Sequence, residues 1–191
     1  MRIHAYGLRI AAEDVAARVL DGKDGDAADL QFFQAFVAAV LARGDAVAVA
    51  SFGCYDVIQA YLERMCPGVF SRENISTPSC VGVPDGCAVP GGKNPQLDLL
   101  LGALLASEGA VGSSLDAHRH RVVFFDDSVQ NVTVRPPCGS SPRSLTPAAA
   151  QLARAAGYSR SFVVPRGGLT REAWAGLCGA PEAAALVQVH V

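Results

Sequence analysis

The chain has 191 residues, half of them hydrophobic and 18% charged, with a formal net charge of -2 and a sequence pI of about 6.0. That is enough for one domain with a true core, too little for two full ones, and too apolar for a disordered polypeptide. The near-neutral balance excludes a broad attraction to nucleic acid or to an anionic membrane. It leaves room for a local phosphate site built from one lysine and a few backbone amides.

Met1 to Leu20 carries Arg2, Arg9, Glu13, Asp14 and Arg18, which interrupt any apolar run long enough for a signal peptide or a membrane span. Ala11 to Leu20 has an apolar stripe at helical spacing and predicts a helix, and DGKDGD at Asp21 to Asp26 predicts a loop. Asp29 to Arg43 predicts a second helix with Leu30, Phe33, Val37, Val40 and Leu41 on its apolar face and Gly44 placed to end it. AVAVA at Ala46 to Ala50 predicts a parallel strand buried on both faces, followed by a tight turn at Ser51-Phe52-Gly53 and a helix over Asp56 to Met65. Ser71 to Gly92 is rich in Gly, Pro and Cys and predicts a loop with one short strand near Ile75.

Asn94 to Ser107 predicts a helix burying Leu97, Leu100, Leu101, Leu104 and Leu105. After a polar loop at Gly109 to His120, Arg121 to Phe125 predicts a second buried strand ending in Asp126-Asp127-Ser128. Arg135 to Pro147 has the composition of a surface insertion, Pro147 to Gly157 predicts a helix, Ser161 to Val164 a third strand, and Arg171 to Leu177 a last helix. Alternating strands and helices predict an α/β fold. The domain reading is an atypical N-terminal segment at 1–26, a core domain at 27–180 with the insertion at 135–147, and a tail at 181–191.

The six cysteines form no CxxC pair and lack histidines at zinc-finger spacing, so free thiols in a reducing compartment are expected, and with them a soluble cytoplasmic protein. His4, His118, His120 and His190 show no ligand pattern and are expected on the surface or in loops.

Three places put a polar group at a strand end or a helix start, where open parallel sheets bind ligands. Ser51 follows AVAVA directly. Its hydroxyl, with the amides of Phe52 and Gly53, suits a phosphate oxygen, and it equally suits a turn or helix-capping serine. Lys93, in Gly91-Gly92-Lys93-Asn94, can neutralise a phosphate and anchor a carboxylate, or can simply be a solvated lysine. It is not a P-loop lysine, because Cys87 stands where that motif needs glycine and Asn94 where it needs Ser or Thr. Asp126 and Asp127, with Ser128 and Asn131, are two adjacent carboxylates after VVFF. They suit Mg²⁺, which keeps most of its waters and needs few protein oxygens, or they are hydrated loop aspartates.

The order of these elements, with ISTPSCVGVPDGCAVPGGKNPQL, VVFFDDSVQN and AGYSRSFVVP, resembles the haloacid dehalogenase superfamily over Leu30 to Thr170, in an uncharacterised eukaryotic phosphatase-like branch. The resemblance implies a Rossmann-like three-layer core around a parallel sheet, with Mg²⁺ as cofactor and a small phosphorylated molecule as ligand. No nucleic-acid or membrane partner is expected. It also implies roles: Ser51 on the second motif binding phosphate with Phe52 and Gly53, Lys93 on the third stabilising the phosphoryl group, and Asp126 and Asp127 on the fourth as metal ligands. In that family an aspartate in a DxDxT motif attacks phosphorus to form an aspartyl phosphate. No such motif lies upstream of Ser51: Asp21 and Asp24 have the wrong spacing, and Asp14 follows a helical stretch. The central strand that would carry the motif is therefore expected to be missing or replaced, with Arg2 to Ile10 as the candidate substitute. The functional expectation is a phosphatase-like domain if a nucleophile is present, and otherwise an inactive phosphate- and Mg²⁺-binding or protein-interaction domain.

Overall fold

A computed structural model describes residues 10–21, 25–87, 89–110, 112–126, 156–158, 160–163 and 169–178. Arg2 to Arg9, Asp24, Asp127, Ser128, Asn131, the insertion at 135–147, nearly all of the helix expected at Pro147 to Gly157, and the tail at 181–191 lie outside the described residues.

The first described element is a 3₁₀ helix at Ala12–Ala17, shorter and tighter than the expected α-helix. Arg18 has extended backbone, and its guanidinium grips Asp26 with hydrogen bonds of 2.8 and 2.7 Å, which turns the chain back on itself. Helix α1 spans Leu30–Ala42. One carboxylate starts two helices: Asp29 Oδ1 accepts from the Phe32 amide at 3.1 Å, and its Oδ2 accepts from the Arg171 amide at the start of the last helix, also at 3.1 Å. Gly44, at φ +79°, ends α1 in a left-handed conformation that favours glycine, as its place in the sequence predicts.

Strand β1 is only Val49–Ala50, and β2 is Ile75–Ser76; they pair in parallel. Between them lies α2, Tyr55–Met65, which buries Tyr55, Val57, Ile58, Tyr61, Leu62 and Met65. Each fully buried side chain of this kind contributes about 1.5–3 kcal/mol, so this face anchors its half of the core. A 3₁₀ turn at Pro78–Val81 leads toward Gly91 and Gly92, both at positive φ, and into α3, Asn94–Ser107. Two short 3₁₀ turns, Leu115–Ala117 and Arg119–Arg121, occupy the expected polar loop. Strand β3, Val123–Asp126, pairs in parallel with β4, Arg160–Val163, and α4 spans Arg171–Cys178.

The fold is α/β, with helices on both faces of the strands. On one face, Val49 and Ile75 join a core with α1 and α2 that also takes in Val15 and Ala27. There Phe36 of α1 meets Phe125 of β3 at 6.2 Å and Trp174 of α4 at 5.2 Å between ring centroids. On the other face, Ala50, Phe124 and Tyr158 pack against Leu97, Leu101 and Leu105 of α3. Both strand pairs thus lie between the same helices, yet among the described residues no ladder joins β1 to β3.

Three expectations need correction. AVAVA is not buried on both faces: Ala46 and Ala48 are exposed, Val47, Val49 and Ala50 are half-buried, and among the described residues β1 pairs only with β2. Along α1 the buried residues are Phe32 and Val37, while Leu41 is exposed. Asp126 is the last residue of β3, paired with Val163, rather than the first residue after it. None of the described helices is long and apolar enough to cross a membrane. The five described cysteines, Cys54, Cys66, Cys80, Cys87 and Cys178, are free thiols.

Candidate functional site

Placing Asp126 inside the strand decides where its side chain goes. Side chains alternate along a strand, so Asp126 shares the α3 face with Phe124. The start of α3 lies on that face. Lys93, just before the helix, sets its Nζ 2.6 Å from Asp126 Oδ2, with side-chain exposures of 8% and 1%. The ammonium also lies 5.6 Å from the centre of the Phe52 ring and 5.9 Å from that of Phe124, within reach of both π faces. Burying two opposite charges costs hydration that their attraction repays only in good geometry, and such a pair is a poor device for stability alone.

Ser51 is also buried. Its amide donates to the Ser76 carbonyl at 3.0 Å, continuing the β1–β2 ladder, and its Oγ accepts from the Gly53 amide at 3.1 Å. The turn that the sequence predicts at Ser51-Phe52-Gly53 is therefore closed by its own hydroxyl. The Phe52 carbonyl accepts from the Gly86 amide at 2.8 Å, and the Phe52 side chain is half-buried beside Lys93. Ser51 connects to the Lys93 helix through Gln96, whose Nε2 donates at 2.8 Å to the carbonyls of both Ser51 and Ser76.

The N-terminus of α2 is served by an acid from the following loop. Asp85 accepts from the Tyr55 amide at 3.3 Å and from the Ser79 amide at 3.0 Å. Burial raises its pKa, but the hydrogen bonds from Ser79, Tyr55 and Thr77 outweigh this and hold the carboxyl below the ordinary aspartate value. Burial pushes the Cys54 thiol at the N-cap of α2 up, with Asp85 and Asp56 adding to the shift, so it is no activated nucleophile.

Four of the site residues read from the sequence, Ser51, Phe52, Lys93 and Asp126, thus gather at the carboxyl ends of β1 and β3. Gly53 closes the Ser51 turn, and Asp127 lies outside the described residues. Asp14 accepts from the Ala11 amide in its own 3₁₀ turn, and Asp21 accepts from the Leu30 amide at the start of α1. His118 lies between the two 3₁₀ turns before β3 and His120 in the second, and His118 Nδ1 meets Arg121 at 3.3 Å. Gln96 and Phe124 went unremarked in the sequence. For Gln96 a signal existed: it is a polar residue next to Leu97 and four before Leu100, on the stripe that the leucines predict to be buried.

A cation-binding role fits the described residues only in part. Asp126 supplies a hard carboxylate, but its Oδ2 already meets Lys93, and among the described residues no group of three or more His, Cys, Asp or Glu side chains is placed to hold a metal. The arrangement offers one buried cation, one serine hydroxyl and one carboxylate at the ends of parallel strands, which is chemistry suited to a small anion. Comparison with family models, with curated proteins and with solved structures finds no match to this chain.

Proposed function

We propose that this chain is a haloacid-dehalogenase-like domain that binds the phosphate group of a small phosphorylated molecule, with Mg²⁺ as its cofactor. The observation that carries the reading is the Lys93–Asp126 pair, 2.6 Å apart and buried at the carboxyl end of a parallel strand. A buried pair of this kind contributes little to stability, and a lysine there is a point charge for a phosphate. The Ser51 turn beside Phe52 supports the same reading from the end of the neighbouring pair.

The arrangement of the strands is also in keeping with it. The parallel pairs β1–β2 and β3–β4 share helices on both faces. Parallel strands between two helical layers are in keeping with a Rossmann-like three-layer core. Asp126, with Asp127 beside it in sequence, would hold Mg²⁺, and the ion would supply positive charge to the phosphate oxygens. Lys93 and Ser51 bind and orient the phosphate. Hydrolysis requires an aspartate nucleophile in addition, and the sequence upstream of Ser51 has no DxDxT motif to supply it. Binding without turnover is therefore the first expectation.

Titration of the purified chain with inorganic phosphate, with and without Mg²⁺, tests the reading, with aryl phosphate hydrolysis measured in parallel. Binding that strengthens with Mg²⁺ and weakens on the order of 100-fold in Lys93→Met, as expected for loss of a charge-assisted contact, supports it. Mg²⁺-dependent hydrolysis abolished by Asp127→Asn would make the chain a phosphatase. Wild-type phosphate binding unchanged in both Lys93→Met and Asp127→Asn would remove the phosphate reading and leave an interaction domain.

A further inference from the structure

Gln96 is fully buried, yet its amide is only half used. Nε2 donates to the Ser51 and Ser76 carbonyls, each at 2.8 Å, while Oε1 has no hydrogen-bond partner among the described residues. A buried acceptor without a partner destabilises the fold, so side-chain packing alone does not explain a glutamine here. Its two donors reach the carbonyl of Ser51, just past β1, and that of Ser76, the last residue of β2, and it stands one helical turn after Lys93. The Ser76 carbonyl keeps a second donor, the Ser51 amide, whereas for the Ser51 carbonyl Gln96 is the described donor.

We infer that Gln96 is a positioning residue: it fixes the Ser51 turn to the start of α3, so that the Ser51 hydroxyl and the Lys93 ammonium keep one separation and address the same phosphate. The inference rests on the phosphate reading above. Without the amide, the described contacts between α3 and the Ser51 turn are the Lys93–Phe52 ring contact and apolar packing, which hold position less sharply than two hydrogen bonds, and the hydroxyl drifts relative to the ammonium.

The experiment is a double-mutant cycle on inorganic phosphate affinity, with Mg²⁺ present and at a temperature well below unfolding of every variant. Gln96→Met and Ser51→Ala are each expected to weaken binding about tenfold, the loss typical of one hydrogen bond to a charged group. Because Gln96 acts through Ser51, the double variant is expected to bind about as well as Ser51→Ala alone. Losses that multiply to about 100-fold, or Gln96→Met binding like the wild type, overturn the inference while leaving the phosphate reading intact. Gln96→Leu, close in volume and without any donor, replaces Gln96→Met if that variant does not fold.

A second readout needs no ligand. The Gly53 amide donates to Ser51 Oγ, so its hydrogen exchange is expected to speed about tenfold in Gln96→Met as the turn loosens, and unchanged exchange overturns the positioning role. A wild-type chain that binds no phosphate, with Gly53 exchange still responsive, sinks the phosphate reading and reduces Gln96 to a clamp of the fold.

Discussion

The two ends of β3 are tied to α3 by different chemistry. At its amino end, Asp98 of α3 takes a fork from Arg119, at 3.0 and 2.9 Å, and the Tyr158 hydroxyl at 2.5 Å. Arg119 and Asp98 are 19% and 31% exposed in their side chains, so both charges keep some water. At the carboxyl end, Lys93 meets Asp126 almost wholly out of water, with the Phe52 and Phe124 rings beside its ammonium. The first arrangement is what an ion pair needs to stabilise a fold: a bidentate arginine, a third donor and residual hydration. The second is what a fold maintains at some cost. The half of the molecule around α2 repeats the first chemistry: Asp26 takes the Arg18 fork and the Tyr61 hydroxyl at 2.5 Å. Two clusters of the same composition, far apart in the chain, mark a structural solution, and the buried Lys93–Asp126 pair differs from both.

The strongest way to break this contrast is at Asp126. Asp126→Leu alone leaves the Lys93 ammonium buried without its carboxylate and is expected to destabilise by about 3 kcal/mol, whereas Lys93→Met with Asp126→Leu is expected to be neutral or stabilising. Urea midpoints of the four proteins of this cycle measure it. A double variant less stable than either single one would make the pair structural and remove the contrast. At the other end, Asp98→Ala takes the acceptor from the buried Tyr158 hydroxyl and from two Arg119 nitrogens and is expected to cost about 2 kcal/mol, less because Arg119 keeps Asp116 and some water. Here an apolar double replacement should bring no rescue, since Tyr158 remains without an acceptor. Asp26→Ala comes third, at about 1–2 kcal/mol. Arg18 and Asp26 are only eight residues apart, so this cluster closes a short loop against α2, while Asp98, Arg119 and Tyr158 join segments 21 and 60 residues apart. Proteolysis near Val19 in Asp26→Ala, against global unfolding in Asp98→Ala, distinguishes the two.

What the sequence disclosed follows the range of the forces involved. Gly44, α2 and α3 were legible because a left-handed stop and a helical stripe are local properties. AVAVA misled because its apolar pattern describes a residue set that suits a strand with neighbours on both sides, and no pattern within five residues reports whether the second neighbour is there. Asp126 was placed one residue too late because VVFFD reads the same whether or not its last residue pairs, and β4, more than 30 residues later, decides that. The order Ser51, Lys93, Asp126 could be read because each residue ends an apolar run or opens a helix, whereas the Lys93–Asp126 pairing joins residues 33 apart and could not. Gln96 could have been suspected only as a polar residue on a leucine stripe, because its partners are carbonyls 45 and 20 residues away.

The smallest expected effect separates the clusters by pH. Burial, and then the hydrogen bond to Asp26, push the Tyr61 phenol up to about 12. Its folded-state value thus lies above the ordinary tyrosine value of about 10, and the neutral phenol is the form the fold favours. Stability from this contact is fully present below pH 10 and is lost as pH rises through about 12. Tyr158 is raised in the same direction, by burial and then by its hydrogen bond to Asp98. On the acid side, the hydrogen bond from Arg18 leads those that hold the Asp26 carboxyl below its ordinary value, against the effect of burial. That contribution is present above the unfolded carboxylate range and fades as pH falls through the lowered value. Tyr61→Phe is expected to cost about 1 kcal/mol at neutral pH, the worth of one hydrogen bond, and to leave a shallower loss of stability between pH 10 and 12. Thermal unfolding followed across that window measures the slope. An alkaline profile identical to the wild type would mean that the Tyr61 hydroxyl does not hold Asp26 in solution, and the likeness between the two arginine clusters would then rest on their arginines alone.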